Sequence, residues 1–120
     1  MPNKKQKKIL MCGTNTDVGK TYITNLIIKK IMYQRRVGAY KPIESGCNKK
    51  RGSLVPNDAK IYFDTLKGQL PLDIINPYRF QPPISPRRAI KLARKKIYNK
   101  DLISHLINFA NCDYLSLIHI

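Results

Sequence analysis

A chain of 120 residues with 42% hydrophobic side chains suffices for one domain with a core. Lys and Arg number 23 against 7 Asp and Glu, a formal charge of +16, which raises nucleic-acid binding as a hypothesis. The cations are scattered over Lys4 to Lys8, Lys29–Lys30, Arg35–Arg36, Lys49–Arg51, Arg87–Arg88 and Arg94–Lys96. Many fall on expected helix faces where solvation accounts for them, so nucleic acid is not the expected partner. Cys12, Cys47 and Cys112 lie far apart without metal-ligand spacing, which excludes a disulfide framework and points to a reducing compartment. The apolar run Ile9 to Cys12 is too short for a signal segment and nothing later approaches a membrane span, so a cytoplasmic location is expected.

In chain order, Ile9–Cys12 reads as a first, buried strand of a parallel sheet. Next comes Gly13-Thr14-Asn15-Thr16-Asp17-Val18-Gly19-Lys20-Thr21, a glycine-bearing loop that opens a helix. Loop amides and the unpaired N–H groups of a helix start attract phosphate. Lys20 adds a full charge for the outer phosphates, and the Thr21 hydroxyl is an oxygen donor for Mg²⁺. The match to G-x-x-x-x-G-K-[ST] is imperfect, since Thr14 stands where the first glycine belongs and Gly13 comes one residue early. A plain glycine turn entering a helix is the alternative, and the strand–loop–helix context favours phosphate. Ile23, Leu26, Ile27 and Ile31, with the Lys30 stem, predict one apolar face on a helix from Lys20 to Arg35.

Gly38 interrupts, and Val37, Ala39 and Tyr40 predict a second strand ahead of Lys41-Pro42. Parallel strands joined by a helix put both carboxyl ends on one rim, so Lys41 is expected beside the phosphate loop. Lys49 to Gly52 reads as a flexible basic turn. Asn57 or Asp58 is the expected cap of a helix carrying Ile61, Tyr62, Phe63 and Leu66 and closed by Gly68. Spacing alone leaves Asp58 open between a plain N-cap and a metal ligand. Ile74 to Phe80 reads as extended, and Gln81 to Pro86 as irregular. Helices are predicted over Arg87–Ile97, with Ile90, Ala93 and Ile97 inward, and over Lys100–Ala110, with Leu102, Leu106, Ile107 and Ala110 inward. His105 reads as a surface or packed histidine, and Asp113 to Ile118 as a strand.

Four segments together resemble one family. The loop Gly13 to Thr21 resembles the G-T-[DN]-T-x-V-G-K-T loop of the dethiobiotin synthetases. Tyr40 to Gly46 resembles their Y-K-P-[IV]-x-[ST]-G segment, Asn57-Asp58-Ala59 their [NS]-D-A, and Asn76 to Phe80 with Pro83 and Ser85-Pro86 their N-P-Y-x-F…P-x-S-P run. The loop by itself is shared with partitioning and cobyrinate-amidating ATPases. These remain one alternative and a basic nucleic-acid-binding protein the other.

The resemblance implies a P-loop NTPase-like α/β fold, a parallel sheet flanked by helices, here ending before that sheet is complete. It implies ATP as co-substrate with Mg²⁺, 7,8-diaminononanoate and CO₂ as the other substrates, and a homodimer. Thr16, Asp17, Val18, Gly19, Lys20, Thr21, Tyr22 and Asp58 would bind nucleotide, and Thr21 and Asp58 the metal. Lys41 and Lys20 would be catalytic, and Ser45 would contact substrate. The family continues into a V-E-G-A-G-G strand, whereas Leu115 to Ile120 contains neither Glu nor Gly. Residues 115–120 are therefore expected to be foreign to the family. The chain is read as an N-terminal portion, one incomplete domain over 1–120, that binds ATP weakly and does not close the ring alone. Arg87 stands where the family commonly has His.

Overall fold

In the computed structural model, which describes residues 5–12 and 18–118, the polypeptide is built on a parallel sheet. The elements in chain order are β1 (Lys7–Met11), α1 (Val18–Ile31), β2 (Val37–Tyr40), β3 (Ile43–Glu44), β4 (Asn48–Lys50), β5 (Ser53–Val55), α2 (Asn57–Thr65), α3 (Leu72–Ile75), β6 (Tyr78–Arg79), α4 (Pro86–Leu92), α5 (Asn99–Ser104), a 3-10 helix (His105–Phe109) and β7 (Tyr114–Ile118). The main sheet runs β1-β7-β2, all parallel, with Tyr114 level with Lys7 on one side and Val37 on the other. Residues 115–118 thus lie in its central strand, whatever their kinship to the family. Two small sheets accompany it: parallel β3-β6 and the antiparallel hairpin β4-β5. That hairpin replaces the expected flexible turn. Arg51 and Gly52, at φ 50° and 82°, make its tight reversal.

Side chains alternate across the sheet with the period of two that a pleated strand imposes. On one face Val37, Ala39 and Ile118 pack with Ile28 of α1, Ala59 and Tyr62 of α2, Leu66 and Ile75. On the other, Tyr40 and Leu115 pack with Phe109. Gly38 points to this second face, where an added Cβ would sit 2.7 Å from the Phe109 ring and 3.0 Å from Cys112 Sγ. The glycine is what lets the 3-10 helix lie so close to β2. A third cluster, Ile43, Phe80 and Ala89, ties β3 to α4.

Several sequence expectations change here. β1 is not a buried strand: Lys7, Lys8 and Leu10 are exposed, because β7 occupies the centre of the sheet. The inner face of α1 is Thr21, Thr24 and Ile28, with Ile31 half-buried, whereas Ile23 and Leu26 are 51% and 47% exposed. The hydroxyl of Thr24 is accommodated by donating to Lys20 O at 2.6 Å, so a polar residue takes a place that periodicity gave to aliphatic ones. Ile74 and Ile75 are helical, in α3, and only Tyr78–Arg79 form a strand.

The basic helix after Ser85-Pro86 stops at Leu92, where Arg94 turns the chain at φ 53°. Its buried residue is Ala89, and Ala93 is exposed. The last predicted helix divides into α5 and the 3-10 helix. Tightening to three residues per turn rotates its inner face, so Phe109 is buried while Ile107 and Ala110 are exposed. Among the described residues no helix is long and apolar enough to cross a membrane.

Candidate functional site

β1 and β2 are both parallel to β7, so the start of α1 and the residues after Tyr40 emerge on one rim of the sheet. Thr16 and Asp17 lie outside the described residues. Val18 opens α1, Gly19 is exposed, Lys20 is half-buried, Thr21 is buried and Tyr22 is 66% exposed. Lys41 follows β2 directly and is 8% exposed. Its amide donates to Ile75 O at 2.9 Å, and its carbonyl accepts from Asn76 Nδ2 at 2.7 Å. The Lys41 peptide is therefore clamped on both sides. Asn76, wholly buried, spends its remaining capacity on Tyr78 O at 3.2 Å and Arg79 Nε at 3.0 Å.

The Lys41 ammonium forms an ion pair with Asp58 Oδ2, the two side chains keeping only 10% and 16% exposure. The expected capping role of Asn57 or Asp58 is not what the structure has. Pro56 is the N-cap residue, without a side-chain cap of its own. The Glu44 carboxylate of β3 instead accepts from Asp58 N at 2.8 Å and Ala59 N at 3.1 Å, using one oxygen for each orphan amide of the helix start. Asp58 sits in the first turn of α2, where the helix dipole also favours a carboxylate. Its side chain is left for Lys41. Burial pushes the Glu44 carboxyl above its usual range, against the pull of Lys41 and of the two amides it caps; Asp58 adds a smaller upward push.

One turn beyond Asp58, Tyr62 reaches from α2 toward α1, and Thr65 Oγ1 donates to Asn25 Oδ1 at 2.5 Å to fix the same pair of helices. Burial pushes the Tyr62 phenol up to about 12, tempered by the nearby hydroxyls of Thr21 and Thr24. Thr21 Oγ1 and Tyr62 OH are both buried and complete no well-formed hydrogen bond among the described residues. An orphaned, buried hydroxyl at the head of α1 fits the hard oxygen donor that Mg²⁺ takes. The Lys41 ion pair engages only Oδ2 of Asp58, so Asp58 fits that donor set as well. No group of three His, Cys, Asp or Glu side chains gathers as a metal site among the described residues.

Ser45, half-buried, follows Glu44 on the same loop. That loop is held by Gly46 N donating to Pro82 O and Cys47 N to Phe80 O, both at 3.0 Å. Its far end is tied to α2 by Asn57 Nδ2 donating to Gly46 O at 3.3 Å. The structure thus gathers Lys41, Asp58, Tyr62 and Thr21, and places Ser45 immediately after the short strand β3. Tyr22 lies on the exposed side of α1. Sequence reasoning gave no role to Glu44, Tyr62 or Asn76. Their only signal was position, Glu44 and Asn76 inside motif segments and Tyr62 four residues after Asp58.

The AAA-domain family matches residues 7–115. The ATP-dependent dethiobiotin synthetase BioD of Legionella pneumophila (strain Corby) is 42% identical over 85 residues, 71% of this chain and 38% of that protein. That of Aeromonas salmonicida is 37% identical over 97 residues, 80% of this chain and 43% of its own length. That of Thermodesulfovibrio yellowstonii is 38% identical over 81 residues, 67% and 34% respectively. The matched region spans about two fifths of the length of these curated relatives. With a matching profile over nearly its whole length and a parallel sheet whose rim gathers lysine, carboxylate and hydroxyl, the chain belongs to the AAA-domain family.

Proposed function

We propose that this chain carries the ATP-phosphate and carbamate-handling rim of a dethiobiotin synthetase, a cyclo-ligase of biotin synthesis. The observation that carries the reading is the buried Lys41–Asp58 ion pair on the rim where Thr21 presents its orphaned hydroxyl. The substrates are 7,8-diaminononanoate, CO₂ and ATP. One amine of the diamine adds to CO₂ to give a carbamate. A carbamate oxygen attacks the γ-phosphorus and ADP departs. The second amine then attacks the carbonyl carbon of the mixed anhydride, phosphate leaves with its oxygen, and the nitrogen loses its proton as the cyclic urea closes.

Two anions must meet in the phosphoryl transfer, so positive charge fixed at the meeting point is the main need. Lys41 supplies it from a backbone clamped by Asn76 and Ile75, which limits its reorganisation. Lys20, at the head of α1, supplies a second ammonium on the nucleotide side. Thr21 and Asp58 would hold Mg²⁺, which when bound neutralises charge on the outer phosphates. Ser45 is assigned a hydrogen bond to the diamine or carbamate.

Titration calorimetry of the chain with ATP and Mg²⁺ tests the reading. Lys20→Met is expected to weaken ATP binding by at least about tenfold, as loss of a charge-assisted contact implies. Unchanged affinity in that variant and in Lys41→Gln, checked as folded, would refute it. Hydrolysis that responds to diaminononanoate separates this reading from a partitioning-type ATPase.

A further inference from the structure

Three hydroxyls, those of Thr21, Thr24 and Tyr62, lie where α2 crosses α1, and one carbonyl fixes the direction of the Thr24 hydrogen bond. Thr24 Oγ1 donates its proton to Lys20 O at 2.6 Å, and a carbonyl oxygen only accepts. Thr24 therefore has lone pairs, and no proton, to offer the Tyr62 phenol beside it. If the phenol donates to Thr24, its own oxygen is left as an acceptor facing Thr21. Thr21 Oγ1 and Tyr62 OH are the two buried side-chain polar atoms without a partner among the described residues, and Tyr62 is fully buried. Two orphaned hydroxyls side by side would ordinarily cost stability, and their persistence is accounted for if they are completed in the liganded state.

We propose that Tyr62 is a positioning residue that accepts the Thr21 hydroxyl proton and so turns the Thr21 lone pairs outward to the divalent cation of the bound nucleotide. The inference rests on Thr21 as an oxygen ligand of that cation. In the liganded state the relay would run from Thr21 to Tyr62, to Thr24, to the Lys20 carbonyl, its last link being the one already made. With its lone pairs engaged by a divalent cation, the Thr21 hydroxyl would be a stronger proton donor, and its hydrogen bond to Tyr62 would form and hold that orientation. The same phenol lies one helical turn from Asp58 and senses its charge, so a single side chain borders both oxygen donors assigned to the metal.

The test is calorimetric binding of ATP to the chain, first in EDTA and then across a Mg²⁺ series, with circular-dichroism melting to verify folding. Tyr62→Phe is expected to leave ATP affinity in EDTA unchanged and to raise the Mg²⁺ concentration for half-maximal enhancement by about tenfold, the lower range for removing an outer partner of a metal ligand. Thr24→Val interrupts the relay one link later and is expected to shift the Mg²⁺ midpoint the same way by less. It also decides the matter should Tyr62→Phe fail to fold. Thr21→Val is expected to abolish the Mg²⁺ enhancement. A Tyr62→Phe midpoint equal to the unsubstituted chain's, or an equal loss in EDTA, overturns the positioning role while Thr21→Val still supports the metal reading. Mg²⁺ enhancement that survives Thr21→Val, or is absent from the unsubstituted chain, overturns both.

Discussion

Lys41→Met tests the charge arrangement at the rim most directly. Lys41 stands between two carboxylates: Asp58 in an ion pair, and Glu44, whose carboxyl it pulls down against the upward push of burial. Removing the ammonium leaves two negative groups at the start of α2 with only the helix dipole to offset them. Removing one partner of a buried pair costs about 3–5 kcal/mol. Residual exposures of 10% and 16% place this pair at the lower end, about 3 kcal/mol, a large share of an ordinary domain's stability.

Asp58→Asn is the control. The amide keeps an acceptor for Lys41 and Glu44 remains as counter-charge, so its cost is about 1–2 kcal/mol. The loss in Lys41→Met also depends on pH. A carboxyl whose folded pKa lies above its unfolded value binds its proton more tightly when folded. Its burial penalty is therefore present at higher pH and relieved as pH falls through the folded pKa. Without Lys41 the Glu44 carboxyl rises further, so part of the lost stability returns on going from a neutral pH to an acidic pH below its folded pKa. Urea denaturation at these two pH values, followed by circular dichroism, reads both effects. The reasoning fails if Lys41→Met costs no more than Asp58→Asn, or if its deficit is the same at both pH values.

Three other outcomes are expected. Asn76→Ala strands the Lys41 and Tyr78 carbonyls and Arg79 Nε and should cost about 2–4 kcal/mol in urea denaturation. Asn76→Asp, which aims an acceptor at two carbonyls, should cost no less. Gly38→Ala puts a methyl 2.7 Å from the Phe109 ring and should cost about 1–3 kcal/mol, partly recovered by Phe109→Leu in the double variant. The phenols of Tyr40 and Tyr62, each raised by burial to about 12, stay protonated in the fold where unfolded tyrosine ionises near 10. Stability should fall as pH rises above about 10, and Tyr62→Phe should flatten that slope in alkaline melting curves.

The parts of this molecule legible in its sequence are those decided locally. The strand Val37–Tyr40 and the strand ending at Ile118 follow from apolar runs and glycine punctuation, and so does the existence of the first helix, although it spans Val18–Ile31 where Lys20 to Arg35 is expected. Motif position singles out Lys41 and Asp58, and the structure brings them into contact. What the sequence hid depends on partners remote along the chain. The inner face of α1 holds Thr21 and Thr24 because a hydroxyl can satisfy itself on a carbonyl of the preceding turn, which no hydropathy pattern expresses. Ile23 and Leu26 face outward for the same reason. The exposed character of β1 was invisible because β7, more than a hundred residues later, takes the middle of the sheet.

The cap on α2 shows how such a remote contact determines what a site residue is free to do. A helix start presents orphan amides that some oxygen must accept. Had Asp58 or Asn57 met that need, as spacing suggested, the residue doing so would have been turned toward its own backbone. Glu44, fourteen residues upstream of Asp58, meets it with both oxygens and bears the desolvation that pushes its carboxyl upward. Asp58 then keeps its carboxylate for Lys41, and Lys41 is held at the rim by side chain and backbone together. The division of labour between two carboxylates, one buried to hold a helix and one at the edge to hold a cation, makes the Tyr40–Gly46 segment and the start of α2 a single unit. A substitution at Glu44 should therefore disturb Lys41 without touching it.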